Sequence, residues 1–442
     1  MTRILRGLTA DAWILFATRL VRLFAYGSLS LVLVFYLVGI GVSERRVGTL
    51  FTLTLAGDVV VSLFLTTRAD RAGRRRVLVA GAALMAAAGV AFASTDRFWL
   101  LLVAGTVGVL SPSGSDAGPF LSIEQAALSH VVPAQHRTDV FAWHTLVGAV
   151  ATALGALGGG LVTSAVQNTS MSQVGGYRFV VILYAALGGV LALLFSRLSP
   201  ATEVSSARDG DSSSTGALER LSGVGPSRRI VATLSALFAL DAFGGGFVVQ
   251  SFAAYWFYLR FGAAPETLGV IFFWANVFAG LSALVAARLA SRFGLLRTMV
   301  VTHLPSNVLL ILVPLMPTLP WAVFVLLVRF SISQMDVPTR QAYLMAVVTP
   351  AERSAAAGIT GVARTVGAAI SPWLVGIMFA HPEWIDVPFF AAGVIKIGYD
   401  IRFMGCSRQC SSRSARTRSA TAEGDPAAGT SRTTDSSFAR SR

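Results

Sequence analysis

The feature that most constrains this chain is a series of uncharged apolar stretches, each about 18 residues long, such as Val77–Ser94 and Phe179–Ser196. A helix of that length rises about 1.5 Å per residue and crosses most of a bilayer core that is roughly 30 Å thick. The composition agrees, because 54% of the 442 residues are hydrophobic and only 13% are charged. Soluble domains carry about 25% charged residues. We therefore expect an all-α polytopic membrane protein.

The apolar pattern predicts twelve transmembrane helices. Their expected bounds are 12–38, 46–66, 77–94, 97–132, 138–165, 177–198, 229–259, 267–289, 297–316, 319–348, 354–380 and 386–404. Arginine is concentrated in the 2–3 loop, the 8–9 loop and the linker between spans 6 and 7. Cytoplasmic loops are typically enriched in Arg and Lys. We therefore expect an integral, multi-pass protein of the plasma (inner) membrane with both termini in the cytoplasm.

The two halves of the chain repeat each other. Gly48 recurs as Gly269 at an offset of 221 residues, and Gln125 recurs as Gln341 at an offset of 216. Parallel repeats of this kind place a substrate site at the interface between the halves, near the bilayer midplane.

A stretch rich in Ser, Gly and Asp separates the halves and lacks hydrophobic periodicity, which is typical of a flexible linker. After Met404 the composition changes abruptly to Ser, Thr, Arg and Ala. The predicted divisions are an N-terminal six-helix bundle over 1–198, a cytoplasmic linker over 199–228, a C-terminal six-helix bundle over 229–404 and a disordered basic tail over 405–442.

The loop between spans 2 and 3 contains a recognisable motif, Thr66…Asp70-Arg71-Ala72-Gly73-Arg74-Arg75. It resembles the signature Gly-x-x-x-Asp-Arg-x-Gly-Arg-Arg of the major facilitator superfamily, and the resemblance extends from residue 12 to about residue 400. It implies two six-helix pseudo-repeats, transport by alternating access and, from further sequence likeness in span 10, a bacterial exporter. In that family the acidic residue of the loop braces the inner gate. By resemblance, the gating loop would be formed by Asp70, Arg71, Gly73 and Arg74.

Several ionisable residues are expected inside the spans, where each costs about 2.5–3.5 kcal/mol to insert. Eight of them are Arg19, Arg22, Asp58, Asp116, Glu124, Asp241, Asp336 and Arg340. The resembled fold implies that spans 1, 4, 7 and 10 line a central cavity, and these four spans carry all of the eight except Asp58. We predict that these residues, together with Tyr26 and Gln250, form the substrate or proton pathway.

Glu124 and Arg340 are equivalent in the repeat, so we expect them at the same depth and able to pair across the cavity. Protonation or an anionic substrate would open such a pair; the alternative is a static buried ion pair. Asp58 is expected to be a partner of Arg22. Carboxylates in apolar surroundings can exchange protons near neutral pH, and we favour Glu124 or Asp241 as the proton carrier.

Two further charges allow two interpretations each. Arg19 shares one face of span 1 with Arg22 and Tyr26, where paired guanidinium groups favour a carboxylate or phosphate. Alternatively, and by a small margin in preference, Arg19 snorkels to the cytoplasmic surface. Lys396, the single lysine, is expected to pair locally with Asp400, with a cavity contact as the alternative.

Two spans contain residues that disfavour a continuous helix. Ser111–Asp116 and Gly118-Pro119 interrupt span 4, which predicts either a discontinuous helix that offers polar groups to substrate or a proline kink. Gly244–Gly246 in span 7 indicates a bending point or a close helix contact.

Together these features predict a secondary active transporter that moves a small molecule by alternating access, is coupled to protons and favours export of an organic anion or polar metabolite. A multidrug or cationic-drug:proton antiporter is the first alternative, because five carboxylates are expected inside the spans. A non-transporting receptor or scaffold is the second, although no large soluble domain is visible.

An enzyme is not expected, because the sequence contains neither His-Glu-x-x-His nor Gly-x-Ser-x-Gly, and no phosphate loop. We expect no metal and no cofactor, since the two cysteines lie in the tail. The net charge of +14 resides largely in the tail and alternate loops, so no nucleic-acid partner is expected. A monomer is favoured.

Overall fold

The computed structural model describes residues 8–116, 118–133, 136–169, 172–203, 227–349 and 352–423. The chain folds as two compact units, Met1–Asp400 and Ile401–Arg442. Both predicted bundles lie almost wholly within the first unit.

The described residues of the first half form seven α-helices. They are α1 Ala10–Gly39, α2 Glu44–Ala72, α3 Arg74–Ser94, α4 Phe98–Val107, α5 Phe120–Val131, α6 Arg137–Gln167 and α7 Gln173–Ser196. The Thr9 hydroxyl begins α1 by accepting a hydrogen bond from the Ala12 backbone N–H at 3.3 Å, which satisfies one of the free donors of the first turn.

The described residues of the second half form eight α-helices. They are α8 Arg228–Gly246, α9 Gln250–Phe261, α10 Pro265–Phe293, α11 Leu295–Leu312, α12 Leu319–Ser333, α13 Asp336–Val347, α14 Arg353–Phe379 and α15 Val387–Glu423. The predicted end of span 12 at residue 404 therefore lies inside α15, and so does the start of the predicted disordered tail. Residues 424–442 of that tail and 204–226 of the linker lie outside the described residues, so the domain divisions stay predictions.

Ten helical segments among the described residues are long and apolar enough to cross a membrane. Two of these segments consist of paired helices, α8 with α9 and α12 with α13. The predicted fourth span is divided between the short helices α4 and α5, and α15 begins at the predicted twelfth span. The expectation of an all-α polytopic membrane protein is confirmed.

Four glycines with positive φ mark equivalent turns in the two halves. Gly73 (φ +94°) joins α2 to α3, and Gly294 (φ +86°) joins α10 to α11. Gly41 (φ +90°) and Gly262 (φ +65°) follow the first helical segment of each half. Side chains with a Cβ rarely adopt this conformation. Both pairs are separated by the offset of 221 found in the sequence, so the repeat extends to the backbone conformation.

The halves meet through equivalent helices, because α2 packs along α14 and α6 packs along α10. A Cβ built on Gly48 would lie 2.8 Å from the Cα of Gly376, and one built on Gly160 would lie 3.0 Å from the Cα of Gly269. The backbones therefore touch at both crossings. The residues of the two crossings are related by the same offsets of 221 and 216, so the interface follows the pseudo-twofold symmetry.

Candidate functional site

A buried group of charges lies in the first half, between α1 and the broken fourth span. Arg22 Nη1 donates to Asp116 Oδ1 at 2.8 Å, and Arg22 Nη2 donates to Glu124 Oε2 at 2.5 Å. Arg19 Nη2 reaches Asp116 Oδ2 at 3.1 Å, and the Thr18 hydroxyl donates to Glu124 Oε1 at 3.2 Å. Two guanidinium groups thus neutralise two carboxylates. We call Arg19, Arg22, Asp116 and Glu124 the N cluster.

Water has little access to the centre of the N cluster. The side chains of Arg22 and Glu124 are 0% exposed, whereas Asp116 remains 21% exposed. The Arg22 guanidinium carbon lies 4.9 Å from the centre of the Phe120 ring. His144 Nε2 is 4.0 Å from Glu124 Oε2. An ion pair in such surroundings is held strongly, because either partner alone would be an uncompensated buried charge.

The sequence around Asp116 does not form a helix. The chain leaves the helical conformation between α4 and α5, with Gly114 at φ +71° and Gly118 at φ +78°. The predicted break of the helix is therefore confirmed, and the contact of its polar groups with substrate stays a prediction. The Gly118 N–H donates to Asp58 Oδ1 at 2.6 Å, so Asp58 supports this break. The expected pairing of Asp58 with Arg22 is wrong. The Asp58 carboxylate binds the Gly118 N–H instead, which the break in the helix leaves without a helical acceptor.

A second group of buried charges lies in the second half around Asp241 of α8. Asp241 Oδ2 accepts from Arg340 Nη1 at 2.6 Å, and Oδ1 accepts from Lys396 Nζ at 2.6 Å. His303 Nε2 lies 3.5 Å from the same Oδ1, and Arg340 Nη1 is 3.1 Å from Asp336 Oδ2. All five residues are buried. We call Asp241, Asp336, Arg340, Lys396 and His303 the C cluster.

Lys396 does not pair with Asp400, although the two are one helical turn apart. His303 Nδ1 lies 2.7 Å from Asp400 Oδ1, and Asn307 Nδ2 donates to Asp400 Oδ2 at 3.0 Å. These two residues of α11 hold the Asp400 carboxylate, and Lys396 turns to Asp241 instead. The expectation of a local pair is wrong, and the alternative contact is the one observed.

The structure also corrects the two main expectations about arginine. Glu124 and Arg340 do not pair across the interface, because each binds a partner within its own half, Arg22 and Asp241 respectively. Arg19 is buried against Asp116 and does not snorkel. Pairing within a half satisfies each charge without requiring the two halves to be in contact at that depth.

Gln250 lies where the two halves meet. Its Nε2 donates to the Ser30 hydroxyl at 2.9 Å, and its Oε1 accepts from Asn276 Nδ2 at 3.0 Å. The neighbouring Ser251 hydroxyl is 2.6 Å from the Ser30 carbonyl oxygen and 2.7 Å from that of Pro112. These contacts connect α9 to α1 and to the irregular segment between α4 and α5.

Tyr26 and the triple glycine lie close to this junction. Tyr26 is fully buried, and its ring stacks on that of Tyr184 with the centroids 6.3 Å apart. α8 ends at Gly246, and a Cβ built there would lie 2.6 Å from the carbonyl oxygen of Ala368. Both interpretations of the glycine run are therefore correct, since it is a break and also a close contact.

A cavity of about 470 Å³ adjoins the C cluster. Its walls are formed by α8, α13 and α14 through Phe238, Pro338, Arg340, Gln341, Ala342, Leu344, Met345, Ala357, Thr360, Gly361 and Arg364. Arg340 therefore lies between the cavity and Asp241. A polar molecule in the cavity can reach a residue that is already part of the buried ion network.

Sequence reasoning missed several polar residues that the fold brings to these clusters or near them. They are His144, His303, Asn307, Arg329 and Arg364. A signal was available, because both arginines and both histidines lie inside predicted spans, where an ionisable group is costly.

The turn between α2 and α3 is held by a residue that the motif does not include. Glu203 Oε2 accepts from the Arg74 N–H at 2.7 Å, and Oε1 accepts from the Arg75 N–H at 3.1 Å. A carboxylate at a helix N-terminus is favourable because of the free N–H groups and the helix dipole. The side chains of Asp70 and Arg71 lie outside the described residues, so the gating role stays a prediction.

One side-chain group in the C cluster has the composition of a metal site. Ligand atoms of Asp241, His303 and Asp336 lie within 4.8 Å of one another. Arg340 and Lys396 already neutralise the carboxylates, however, and their charges repel a cation. Competition from these two cations disfavours a resident metal there.

Ten described helical segments that can cross a membrane, arranged in two repeated halves, define the class as a polytopic membrane protein. Residues 15–260 match the family model of the Major Facilitator Superfamily. The chain belongs to this superfamily and is an integral membrane protein that transports a small molecule.

Sequence relatives extend the likeness over most of the chain. An uncharacterized membrane protein of Saccharomyces cerevisiae is 30% identical over 415 residues, which cover 88% of this chain and 92% of the yeast protein. A Na(+), Li(+), K(+)/H(+) antiporter of Planococcus maritimus is 28% identical over 150 residues, which cover 34% of this chain and 33% of the antiporter.

Solved transporters share the fold at low sequence identity. A bacterial homolog of the human lysosomal transporter Spinster aligns with a TM-score of 0.70 and 14% identity, covering 90% of this chain and 96% of that chain. A D-xylose-proton symporter aligns with a TM-score of 0.68 and 14% identity, covering 89% and 96%. These likenesses show the fold alone.

Proposed function

We propose that this transporter works by alternating access, is driven by protons and exports a small organic anion or polar metabolite. The observation that carries the proposal is the presence of one buried, charge-paired cluster in each of the two repeated halves. Buried ionisable groups in a membrane protein are costly and mark ion or substrate pathways.

The N cluster is suited to carry the proton. Glu124 faces one arginine at 2.5 Å and is fully buried, so a proton on its carboxylate removes the charge that binds Arg22. Asp241 in the C cluster faces two cations, Arg340 and Lys396, both at 2.6 Å, and these oppose its protonation. We therefore assign the proton to Glu124.

The C cluster is suited to respond to an anion. Arg340 lines the cavity and also binds Asp241, so an anion in the cavity competes for the same guanidinium group. Asp241 retains Lys396 when Arg340 turns away. Substrate binding would thereby alter the contact between α8 and α13 without leaving an unpaired buried charge.

The loop charges support a cytoplasmic position for the end of the bundle at the Gly73 turn. Arg74 and Arg75 follow Gly73, and cytoplasmic loops are enriched in such residues. The halves are joined at the opposite end through Gly48 with Gly376 and through Gly160 with Gly269. This supports a conformation that is closed to the outside of a plasma membrane.

A proton-coupled antiporter of cations or cationic drugs is the second candidate. It is favoured by the carboxylates of both clusters and by the partial likeness to the cation antiporter of Planococcus maritimus. In this candidate the exchanged cation would compete with Arg340 and Lys396 for Asp241.

Transport in proteoliposomes under an imposed pH gradient separates the two candidates. Organic anions, their neutral amides and organic cations are supplied in turn, and movement of each solute against its gradient is measured. We expect accumulation of anions, and expect Glu124→Gln and Arg340→Ala to abolish it while membrane insertion is intact.

Asp96→Asn is the matched control, because Asp96 lies in the turn between α3 and α4 and pairs with Arg178 at an exposed site. It removes one carboxylate charge and should leave transport unchanged. Accumulation of cations alone would favour the second candidate. If no solute followed the proton gradient, both candidates would be rejected.

A further inference from the structure

Arg364 is a cavity-lining cation without a partner among the described residues. No hydrogen bond or ion pair reaches its guanidinium group in the described part of the chain, and its Nε is both shielded and unsatisfied. Arg340, which lines the same cavity, is engaged by both Asp241 and Asp336. The two arginines of the cavity are therefore unequal, since one is committed and the other is available.

Arg364 lies deep in a membrane-spanning segment, where a guanidinium group without a partner is unfavourable. It lies nine residues inside the apolar span that begins at Ala355, or about 14 Å along the helix at 1.5 Å per residue. A guanidinium group cannot lose its proton in a protein. An unpaired charge at such depth is unfavourable unless an anion compensates it.

The rest of the cavity wall indicates what the anion is attached to. Phe238, Leu344, Met345 and Ala357 supply apolar surface, and the volume of about 470 Å³ lies within the roughly 300–1,000 Å³ typical of sites for small organic ligands. A Cβ built on Gly361 would meet no atom within 4 Å, so the space beside Arg364 is open.

We propose that Arg364 binds the anionic group of the transported substrate, which is an organic carboxylate or phosphate ester with an apolar body. This inference rests on the proposed function, because it requires that the cavity belongs to the substrate pathway. Arg364 fixes the charged end, and Arg340 turns from Asp241 towards it while Lys396 keeps Asp241 paired. A carboxylate and a phosphate satisfy the same guanidinium donors, so both are tested.

The test is binding to the purified full-length protein in detergent, without a membrane or a gradient. The probes are benzoate and phenyl phosphate, with benzamide as the neutral analogue and benzylamine as the cationic one. Affinity is measured by titration calorimetry and by thermal stabilisation. We expect at least one anion to bind about tenfold or more tightly than benzamide, which corresponds to one charge-assisted hydrogen bond.

Arg364→Gln should remove this preference, and Arg364→Lys should retain part of it, which also guards against a folding defect in the first variant. Arg178→Gln is the control. Arg178 is another arginine with an unsatisfied Nε, but it pairs with Asp96 at an exposed site and does not line the cavity. The control should bind the anions as the unmodified protein does.

Equal affinity for anions and benzamide, or equal anion binding by Arg364→Gln, would overturn the inference. Preference for benzoate identifies a carboxylate substrate, and preference for phenyl phosphate identifies a phosphate ester. Binding that depends on Arg364 without any proton-driven transport would leave this site standing and reject the proposed coupling. Transport that continues normally in Arg364→Gln would reject this site and leave the coupling standing.

Discussion

The two halves of the molecule bury the same kind of ion pair with the charges exchanged. In the first half an arginine of the first helix, Arg22, binds a carboxylate of α5, Glu124. In the second half a carboxylate of α8, Asp241, binds an arginine of α13, Arg340. Glu124 and Arg340 are equivalent in the repeat. The repeat has therefore kept one partner of each ion pair at an equivalent position, with the opposite sign of charge, and the other partner on the first helix of its half.

Glu124 and Asp241 also differ in the number of cations that each carboxylate binds. Glu124 depends on one arginine and is closed to water, whereas Asp241 holds two cations and lies next to a cavity. A carboxylate with a single partner responds strongly to protonation. A carboxylate with two partners can release one of them to an incoming anion. The difference between these two carboxylates thus suits a proton at Glu124 and a substrate beside Asp241.

The largest effect is expected from removing the charge of Glu124. Glu124→Gln leaves two arginines, Arg19 and Arg22, with one carboxylate, Asp116, so one buried positive charge is uncompensated and the free energy of unfolding should fall by about 3–5 kcal/mol. Thermal unfolding in detergent measures this change. The double variant Arg22→Gln/Glu124→Gln should recover much of the loss, because it leaves no unpaired charge. A double variant as unstable as the single one would show that shape, and not charge, holds the pair.

A smaller effect is expected from removing one of the two cations bound to Asp241. Lys396→Gln leaves Arg340 in place, so the loss should be about 1.5–3 kcal/mol, the contribution of one hydrogen bond to a charged group. The same unfolding measurement applies. If Lys396→Gln lowered the free energy of unfolding as much as Glu124→Gln does, the presence of two cations would not protect Asp241. The contrast between Glu124 and Asp241 would then be wrong.

Substitutions at the two glycine crossings test whether both crossings open in the same way when the halves move. Gly48→Leu and Gly160→Leu each place a side chain against the backbone of the other half, with an expected overpacking cost of about 1–3 kcal/mol in this conformation. Both should shift the protein towards the conformation in which this end is open, as measured by labelling of single cysteines placed there. Gly189→Leu is the control, because a Cβ at Gly189 meets no atom within 4 Å. Unlike responses of the two variants would argue against a symmetric movement.

The smallest effect is expected at the turn between α2 and α3. Glu203→Gln keeps the shape of the cap but removes a negative charge from a helix N-terminus, which should cost about 0.3–1 kcal/mol. Among the described residues no carboxylate caps the equivalent turn at Gly294, so the two turns provide a direct comparison. Turnover should change more than substrate affinity if this turn takes part in gating, and identical kinetics would restrict Glu203 to a structural role.

The sequence was sufficient to predict the helices and the repeat, because both are encoded by local patterns. The offset of 221 between Gly73 and Gly294 appears in the sequence and again as a pair of positive φ angles. The interruption of span 4 was likewise predictable, since Pro112 and Pro119 cannot continue a helical ladder.

The choice of ionic partners was not predictable in the same way. Equivalence in the repeat gives the depth of Glu124 and Arg340, but it does not give the rotation of each helix about its axis. That rotation decides whether a side chain faces its own half or the other half. Asp400 shows the same limit, because spacing along α15 favoured Lys396, whereas His303 and Asn307 of α11 already held the carboxylate.

The break in the fourth span separates two short helices, α4 and α5, which pack against different neighbours. α4 packs on α2 and α3, whereas α5 carries Glu124 towards α1. The segment between them is linked to the second half where Ser251 meets the Pro112 carbonyl oxygen. A rearrangement at Glu124 can therefore tilt α5 without displacing α4. The hydrogen bonds of Ser251 can transmit that tilt to the second half of the molecule.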